Sequence, residues 1–331
     1  MSASRQDWRW LPFLLVACPG GEEALSTHAS THSAWPAAPE NLSSEACAEC
    51  HPAIASEWRS SLHASAFSDP VFRAEYDPDP QAFCVGCHNP PASVSGGIDC
   101  ATCHARGGAI IGHGPTAGDT EPDEESCRPC HEFGFDNERY ATGQSLQRTF
   151  SEWEESPDFA LGRTCLDCHM APTDESSGAH ASHRFRGFAD TAFIQDAIRV
   201  QVSATLAGDE VEVGFAITSQ RIGHAFPTGD VYRSLRFVVS NGEEDAEAVF
   251  ARYFAFRVTE DGRGHRLEEV DDTRIRPRET RRGRLSLPAT ESLEWSLELH
   301  RLAPDDARRR GLSDEATRHV LFQGVAQPAA P

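Results

Sequence analysis

Lysine is absent from this chain. All 30 basic residues are arginines, while 51 residues are aspartate or glutamate, so the 331 residues carry a formal net charge of -21 at pH 7. An acidic protein repels the phosphate backbone of nucleic acids, which argues against DNA or RNA as a partner. The same charge can attract basic redox partners or simply keep the protein soluble, and the sequence leaves both interpretations open.

Apolar side chains are also scarce. Hydrophobic residues make up 39% of the chain and aromatic residues 8%, and there are only two methionines. This is little for a chain with one large side-chain core, yet more than disordered proteins have. We therefore expect that something other than side chains fills part of the interior. The length is typical of about two domains.

Cysteine, by contrast, is abundant and regularly placed. Ten of the 11 cysteines lie in five C-x-x-C-H motifs, where composition alone predicts about 0.02 by chance. In such motifs the two thiols form thioether bonds to one haem, and the histidine is the proximal iron ligand. Zinc sites and redox dithiols also use C-x-x-C pairs, but neither needs a histidine after every pair.

The sequence thus predicts five covalently bound haem c groups, each with one iron. The predicted thioether residues are Cys47, Cys50, Cys84, Cys87, Cys100, Cys103, Cys127, Cys130, Cys165 and Cys168. The predicted proximal ligands are His51, His88, His104, His131 and His169. Only Cys18 lies outside the motifs, so no pair of cysteines remains for a disulfide.

The motifs are closely spaced. All five lie within residues 46–188, which is fewer than 30 residues for each haem, and eleven residues separate His88 from Cys100. So little chain cannot enclose five separate porphyrins, so the haems are expected to pack against one another and form the core. Folding should then depend on haem attachment, as small metal domains depend on their metal.

Histidine is the expected ligand on the opposite side of each iron. Ten of the 15 histidines lie outside the motifs, and Met170 directly follows His169, so it cannot reach the far face of that haem. Methionine ligation, which raises the haem potential, is therefore disfavoured. One haem without a distal ligand is the alternative. The predicted distal ligands are His63, His113, His183, His224 and His180. His28 or His32 could supply a distal ligand instead, and His265, His300 and His319 are expected at the surface.

The first residues are typical of an export signal. Arg5 and Arg9 precede an apolar run, Leu11–Ala17, that is too short to span a bilayer. Residues 15–18 resemble a bacterial lipobox, in which the cysteine becomes a lipid-bearing N-terminus. We predict a signal peptide at residues 1–18, ending at Cys18, and an exported protein that is periplasmic or at the cell surface and lipid-anchored to a membrane. An ordinary secretory signal is the alternative.

The remaining chain divides by composition. Residues 19–45 predict a flexible tether, followed by a pentahaem domain at residues 46–188. Apolar and polar residues alternate from Val200 to Leu206 and from Val211 to Ile217, around a Gly-Asp turn, which is a hairpin signature. We predict an antiparallel β-sandwich at residues 189–303 and a C-terminal helix and tail at residues 304–331. The expected fold class is α+β, with mostly loops and short helices in the haem domain.

The haem region resembles the multihaem cytochrome c family that includes the nitrification tetrahaem cytochromes, hydroxylamine oxidoreductase and pentahaem nitrite reductase. The resemblance covers about residues 46–240 and rests on the five motifs, residues 168–172, the Trp58–His63 and Ser182–Phe185 segments, and the Gly223–Gly229 loop. It implies stacked and perpendicular haem pairs that transfer electrons. The ammonia-forming nitrite reductases have a lysine as the proximal ligand of the active haem, and this chain has no lysine.

These features predict a respiratory electron carrier of the cell envelope. Its expected partners are other redox proteins or quinol-oxidising membrane complexes, and the membrane itself through a lipid on Cys18. One alternative is an enzyme that reduces or oxidises a small nitrogen or sulfur compound at one five-coordinate haem, with Arg184 or His180 handling protons and anions. Another is a subunit that docks a larger complex through its β-domain.

Overall fold

The computed structural model describes residues 42–90, 96–106, 109–112, 122–134, 144–172, 180–259 and 265–330. Helices and small hairpins form the N-terminal part of the chain, and two antiparallel sheets form the C-terminal part. The α+β class predicted from the sequence is therefore confirmed. The predicted signal peptide, Cys18 and most of the predicted tether lie outside the described residues. Within the described ranges, no helix is long and apolar enough to cross a membrane.

Each C-x-x-C-H motif forms a short helix or lies at its end. A helix brings residues i, i+3 and i+4 to one face, so both cysteines and the histidine of a motif point the same way. Side chains cap two of these helices: Ser43 accepts a hydrogen bond from the N–H of Ala46, and Asp99 accepts one from the N–H of Thr102. The motif helices are α1 (Ser44–Cys50), α4 (Ala82–His88), α5 (Cys100–His104), α6 (Arg128–His131) and α9 (Cys165–His169).

Short elements connect the motif helices. Several of the connecting helices begin with proline, which has no backbone N–H. Proline is tolerated at this position because an N–H in the first turn of a helix has no acceptor within the helix. The connecting helices are α2 (Pro52–Arg59), α3 (Pro70–Tyr76), α7 (Thr149–Glu154), α8 (Pro157–Ala160) and α10 (Thr191–Ala197). Two hairpins pair β1 (Ala105–Arg106) with β2 (Ala109–Ile110) and β3 (Glu132–Gly134) with β4 (Ser145–Arg148), and a 3-10 turn covers Glu124–Ser126.

Two sheets form a sandwich in the C-terminal part. One has three strands in the order β10-β6-β5, and the other has five in the order β12-β11-β7-β8-β9. The predicted hairpin is present as β5 and β6, which pair antiparallel with Val202 opposite Phe215 and turn at Gly208, where φ is +70°. The strands are β5 (Ile198–Ala207), β6 (Glu210–Ser219), β7 (Ser234–Ser240), β8 (Asp245–Val258), β9 (His265–Asp272), β10 (Thr280–Pro288), β11 (Leu293–His300) and β12 (Arg318–Ala326).

Side chains from both sheets form one core between them. Burial alternates along β6, where Val211, Val213 and Ile217 are completely buried. From the opposite sheet, Phe237 contacts Phe215 with ring centroids 4.5 Å apart. This alternation lets each sheet bury one face against the other. The β-sandwich therefore has a conventional hydrophobic core.

The C-terminal segment differs from the predicted helix and tail at residues 304–331. Two short helices, α11 (Pro304–Arg309) and α12 (Asp314–Thr317), are followed by strand β12, which pairs with β11. Pairing with β11 satisfies the backbone of this segment and buries Leu321, which is 1% exposed. The sandwich thus continues to residue 326 rather than ending at 303. Ala329, in the predicted tail, exchanges hydrogen bonds with Leu206 and Ala204 of β5.

His300 is also placed differently from the prediction. It was expected at the surface, but it is 4% exposed, and its Nε2 lies 2.9 Å from a carboxylate oxygen of Glu298. The neighbouring strand β12 covers this end of β11. His319, in β12, contacts the ring of Phe188 edge-on at a centroid distance of 4.5 Å.

Candidate cofactor-binding site

A large cavity lies between the motif helices and one side of the β-sandwich. Its volume is about 2820 Å³, several times the roughly 300–1,000 Å³ of an ordinary ligand pocket. Aromatic residues such as Trp58, Phe72 and Trp153 line it, together with Phe254 of β8. All ten cysteines of the five motifs also line the cavity, as do nine histidines: His51, His63, His88, His104, His131, His169, His180, His183 and His224.

Backbone carbonyls fix the orientation of three motif histidines. The Nδ1 atoms of His88 and His104 lie 2.9 Å from the carbonyl oxygens of Ala66 and Ile111, and Nδ1 of His169 bonds in the same way to Arg186. A carbonyl can only accept, so Nδ1 must carry the proton and Nε2 keeps a lone pair. This arrangement is typical of metal-ligating histidines, whose other ring nitrogen donates to a backbone or carboxylate oxygen.

Two of the predicted distal histidines have the same backbone support. Nδ1 of His183 donates to the carbonyl oxygen of Ala181 at 2.7 Å, and Nδ1 of His224 donates to that of Ala225 at 2.9 Å. Their Nε2 atoms therefore also keep lone pairs. The loop of residues 221–230 thus presents His224 to the cavity in the form that a metal binds.

Three motif histidines each have a predicted distal histidine beside them. The ring centroids are 6.0 Å apart for the pair His104 and His183. They are 6.2 Å apart for His169 and His224. For His131 and His63 the distance is 6.3 Å. Two imidazoles bound at about 2.0–2.1 Å to opposite sides of one metal have ring centroids about 6 Å apart. Each pair could therefore hold one metal atom between its rings.

Burial keeps five of the six paired histidines neutral. Burial, with a smaller contribution from nearby histidines, lowers the pKa of His131 to about 3 and the pKa values of His63 and His224 to about 4. Burial also lowers the pKa values of His169 and His183. Neutral imidazole is the form that binds a metal. These side chains are therefore held ready as ligands at neutral pH.

The other predicted ligands are not paired in this way within the described residues. His51 is exposed, and His88 stacks on Phe72 at a centroid distance of 3.9 Å. The ring centroid of His180 lies 6.4 Å from that of His183, and its Nε2 is 3.4 Å from a carboxylate oxygen of Glu57. His113 lies outside the described residues. The role of these four histidines as ligands stays a prediction.

Phe185 lies between two of the histidine pairs. Its ring is 4.4 Å from that of His63 and 5.9 Å from that of His183, measured between centroids. Its φ is +46°, which a bulky side chain rarely adopts. The surrounding contacts therefore hold this residue in a strained conformation at the point where the two pairs meet.

Cysteines of different motifs approach one another. None of the ten described cysteines forms a disulfide. The thiols of Cys47 and Cys100 are in contact, and burial together with this neighbour raises the pKa of Cys47 to about 11. Two further contacts follow the same pattern, Cys127 with Cys165 and Cys87 with Cys130. Among the described residues, no three of His, Cys, Asp and Glu form a cluster that could hold a metal ion.

Buried ion pairs fasten the His224 loop to the motif region. Glu152 of α7 binds Arg274, and the two side chains are 6% and 3% exposed. Glu152 also accepts a hydrogen bond from Thr228 at 2.9 Å, and Arg274 donates to the carbonyl of Pro227 at 3.2 Å. Burial favours the neutral form of Asp272, but the adjacent Arg274 holds the pKa of that carboxyl below its usual range. No local sequence pattern predicts the contact between Glu152 and Arg274, because the two residues are 122 positions apart.

The donor groups fit haem c. Two thiols and an imidazole on one helical face could supply the attachment and one iron ligand, and an apolar cavity supplies the space for a planar macrocycle. Each of the five motif helices presents this set to the cavity. The residues that could hold the group are therefore those that the sequence predicted.

Comparison with known proteins supports the architecture. No protein-family model and no curated protein sequence matches the chain. A solved structure, that of a penta-heme cytochrome c552 from Thermochromatium tepidum, is similar with a TM-score of 0.63 and 21% sequence identity. The alignment covers 86% of this chain and 98% of that chain. The two proteins therefore share a fold across both the motif region and the sandwich.

Proposed function

We propose that the protein binds five haem c groups and transfers electrons between them and its redox partners. The observation that carries this proposal is the cavity of about 2820 Å³, which all ten motif cysteines and nine histidines line. The fold shared with a penta-heme cytochrome supports it. When bound, the haems supply one-electron exchange at iron, and the protein tunes their potentials through ligands, burial and hydrogen bonds.

The residues of the chain would act as attachment points, ligands and insulation. The motif cysteines attach the porphyrins, and the motif histidines bind the irons from one side. His63, His183 and His224 bind three of the irons from the other side, next to His131, His104 and His169 respectively. Backbone carbonyls orient the imidazoles, and the aromatic walls exclude water.

Contacts between motifs favour an order for electron transfer. The first motif touches the third through Cys47 and Cys100, and the fourth touches both the second and the fifth through its two cysteines. Phe185 joins the histidine pairs of the third and fourth motifs. We infer a path from the first haem through the third to the fourth, where it branches to the second and fifth.

Spectroscopy of the matured protein tests the ligand assignments. His224→Ala should convert one low-spin haem into a high-spin haem, because His169 then lacks its partner. His319→Ala is the matched control, since His319 does not line the cavity. Electron paramagnetic resonance of the oxidised proteins measures the difference. An unchanged spectrum for His224→Ala would remove that residue from the ligand set.

Catalysis at one haem is the second candidate function. Within the described residues, His51 and His88 have no histidine ring beside them, and Arg233 and Arg301 line the same cavity. A haem with an open position next to arginines could bind a small nitrogen or sulfur compound. A high-spin signal in the oxidised wild-type protein would favour this function, and five low-spin signals would exclude it.

The cellular setting is a further part of the proposal. We propose that Cys18 carries a lipid, that the protein is exported and anchored to a membrane, and that its partners are redox proteins or quinol-oxidising complexes. Fractionation of cells tests the anchor. The wild-type protein should sediment with membranes and Cys18→Ser should become soluble, and equal distribution of the two would contradict the anchor.

A further inference from the structure

Arg233 is a cationic side chain in the cavity wall that lacks a bound carboxylate. Within the described part of the chain, its guanidinium makes one hydrogen bond, from Nη1 to the carbonyl oxygen of Thr228 at 3.0 Å. The nearby Arg301 differs, because two of its nitrogens bind the carboxylate of Asp69 at 2.7 and 2.8 Å. A guanidinium has five N–H donors, so most of those of Arg233 have no protein acceptor.

The surroundings of Arg233 make an unpaired charge unfavourable. Burial lowers the pKa of its guanidinium and the charge of Arg301 lowers it further, while the charges of Asp230 and Asp69 offset part of this effect without bonding to the group. Arg233 and Arg301 also share a neighbour, since each Cζ lies 5.6 Å from the ring centroid of Phe188. Two cations on one aromatic ring repel each other. An anion beside Arg233 would relieve both effects.

The adjacent turn is shaped around the guanidinium. Gly229 has a φ of +104°, and a Cβ atom there would lie 2.7 Å from Nη1 and 2.9 Å from Cζ of Arg233. Only glycine therefore allows the backbone to lie against this group in this conformation. The turn and the hydrogen bond to Thr228 fix the position of the guanidinium. The positive charge of Arg233 also reaches a motif histidine, because it adds to the effect of burial in lowering the pKa of His131.

We propose that Arg233 binds an oxyanion with the free edge of its guanidinium, on the side of the cavity that His131 lines. The planar fork of arginine suits a carboxylate or a small inorganic oxyanion. The inference rests on the proposed function, because one source of the anion is the propionate side chain of a bound haem. The other source is a soluble oxyanion, for which nitrite and sulfite are suitable probes.

Potentiometric titration of the haem-loaded protein tests the first source. Arg233→Gln should lower the midpoint potential of one haem, because the lost positive charge no longer favours reduced iron. A tenfold change in the equilibrium constant of that haem corresponds to about 59 mV. Arg284→Gln is the matched control, since it removes one arginine charge from a side chain that is 74% exposed on β10, and its potentials should equal those of the wild type.

Anion titration tests the second source. Nitrite or sulfite added to oxidised wild-type protein should cause a saturable change in the haem spectrum that Arg233→Gln loses and Arg284→Gln keeps. A lowered potential together with a propionate oxygen on the guanidinium in a crystal structure identifies the haem as the source, and an anion response that depends on Arg233 identifies a soluble oxyanion. If Arg233→Gln matches Arg284→Gln in both measurements, the proposal is overturned.

A crystal structure of the haem-loaded wild-type protein gives the same answer without a variant. An oxyanion oxygen at about 2.7–2.9 Å from the guanidinium is expected, and a guanidinium that faces only water overturns the proposal. Failure of the proposed function is a separate result, because the wild-type protein would then contain no haem.

Discussion

In the β-sandwich, Leu235, Phe237 and Val239 are completely buried among side chains from both sheets. In the described part of residues 42–187, by contrast, buried apolar residues are scattered, and the small clusters around Val71 and Leu146 are completed by residues of the C-terminal part. The apolar side chains of this region surround a cavity instead. From this difference we expect the sandwich to fold on its own side chains and the motif region to need a bound group as its core.

Removal of the haems should affect the two regions very differently. Protein made in a host that cannot attach haem should lose protection from hydrogen exchange throughout residues 42–172. Without haem, the folded motif region would have to enclose a large empty cavity, which is unfavourable. The strands from residue 198 to residue 219 should stay protected. Hydrogen exchange followed by mass spectrometry measures both regions in one sample. Equal protection of the motif region with and without haem would break the comparison.

Loss of the buried ion pair between the regions should have the next largest effect. Arg274→Gln removes the more buried of the two arginines that bind both Glu152 and Asp272. The other, Arg148, still pairs with both carboxylates. We expect a decrease in the free energy of unfolding of the haem-loaded protein of about 3 kcal/mol, the lower end of the cost of breaking a buried ion pair, because the carboxylates keep a partner. Arg284→Gln, which removes an exposed pair, should cost about 0–1 kcal/mol. Denaturant titrations of both variants give the values, and equal costs would show that the buried network does not fasten the regions together.

A cavity made inside the sandwich should destabilise the protein whether or not haem is present. Leu297 is completely buried between the sheets, so Leu297→Ala should cost about 2–5 kcal/mol. Val325→Ala is the control, because Val325 is 65% exposed. Denaturant titration followed by fluorescence should give a similar cost for Leu297→Ala in the haem-loaded and haem-free proteins. A cost that appears only with haem would show that the sandwich depends on the cofactor.

Acid should weaken the contact between Asp69 and Arg301, with the smallest expected effect. Burial would raise the pKa of Asp69, but its bonds to Arg301 and to two backbone N–H groups hold that pKa below its usual value. The contact therefore stabilises the fold above a pH of about 3.9, the unfolded pKa, and this stability is lost as pH falls through the lower folded pKa.

The corresponding variant isolates this carboxylate. Asp69→Asn should show a shallower loss of stability than the wild type as the pH falls below about 4. The exposed Asp305→Asn should follow the wild type. Melting temperatures measured from pH 7 to pH 3 compare the three proteins. An identical acid response in Asp69→Asn and the wild type would show that this ion pair contributes nothing measurable.

Local patterns made much of the site predictable. The motif residues are adjacent in sequence, so their shared helical face follows from spacing alone, and the alternation around Gly208 predicted the β5–β6 hairpin correctly. His224 was singled out because it lies in a turn-rich loop of the β-domain; the structure places it in the cavity wall beside His169, and its role as a ligand stays a prediction. The strand at residues 318–326 was missed, since pairing with β11 decides its conformation rather than its own sequence.

Contacts across long sequence distances were not predictable. Glu152 and Arg274 are in contact although 122 positions separate them, and the place of Phe185 between two histidine pairs does not follow from its local sequence. Arg233 is one of 30 arginines, and only its position in the cavity wall distinguishes it. Such residues act through tertiary placement, which composition and periodicity do not encode.

The mass of the intact protein, measured after maturation in a host that attaches c-type haem, tests the central claim most directly. If five haems are attached, the protein is coloured, its mass exceeds that of its processed chain by five haem groups, and it contains five irons per chain. A colourless protein with the mass of the bare processed chain would contradict that claim.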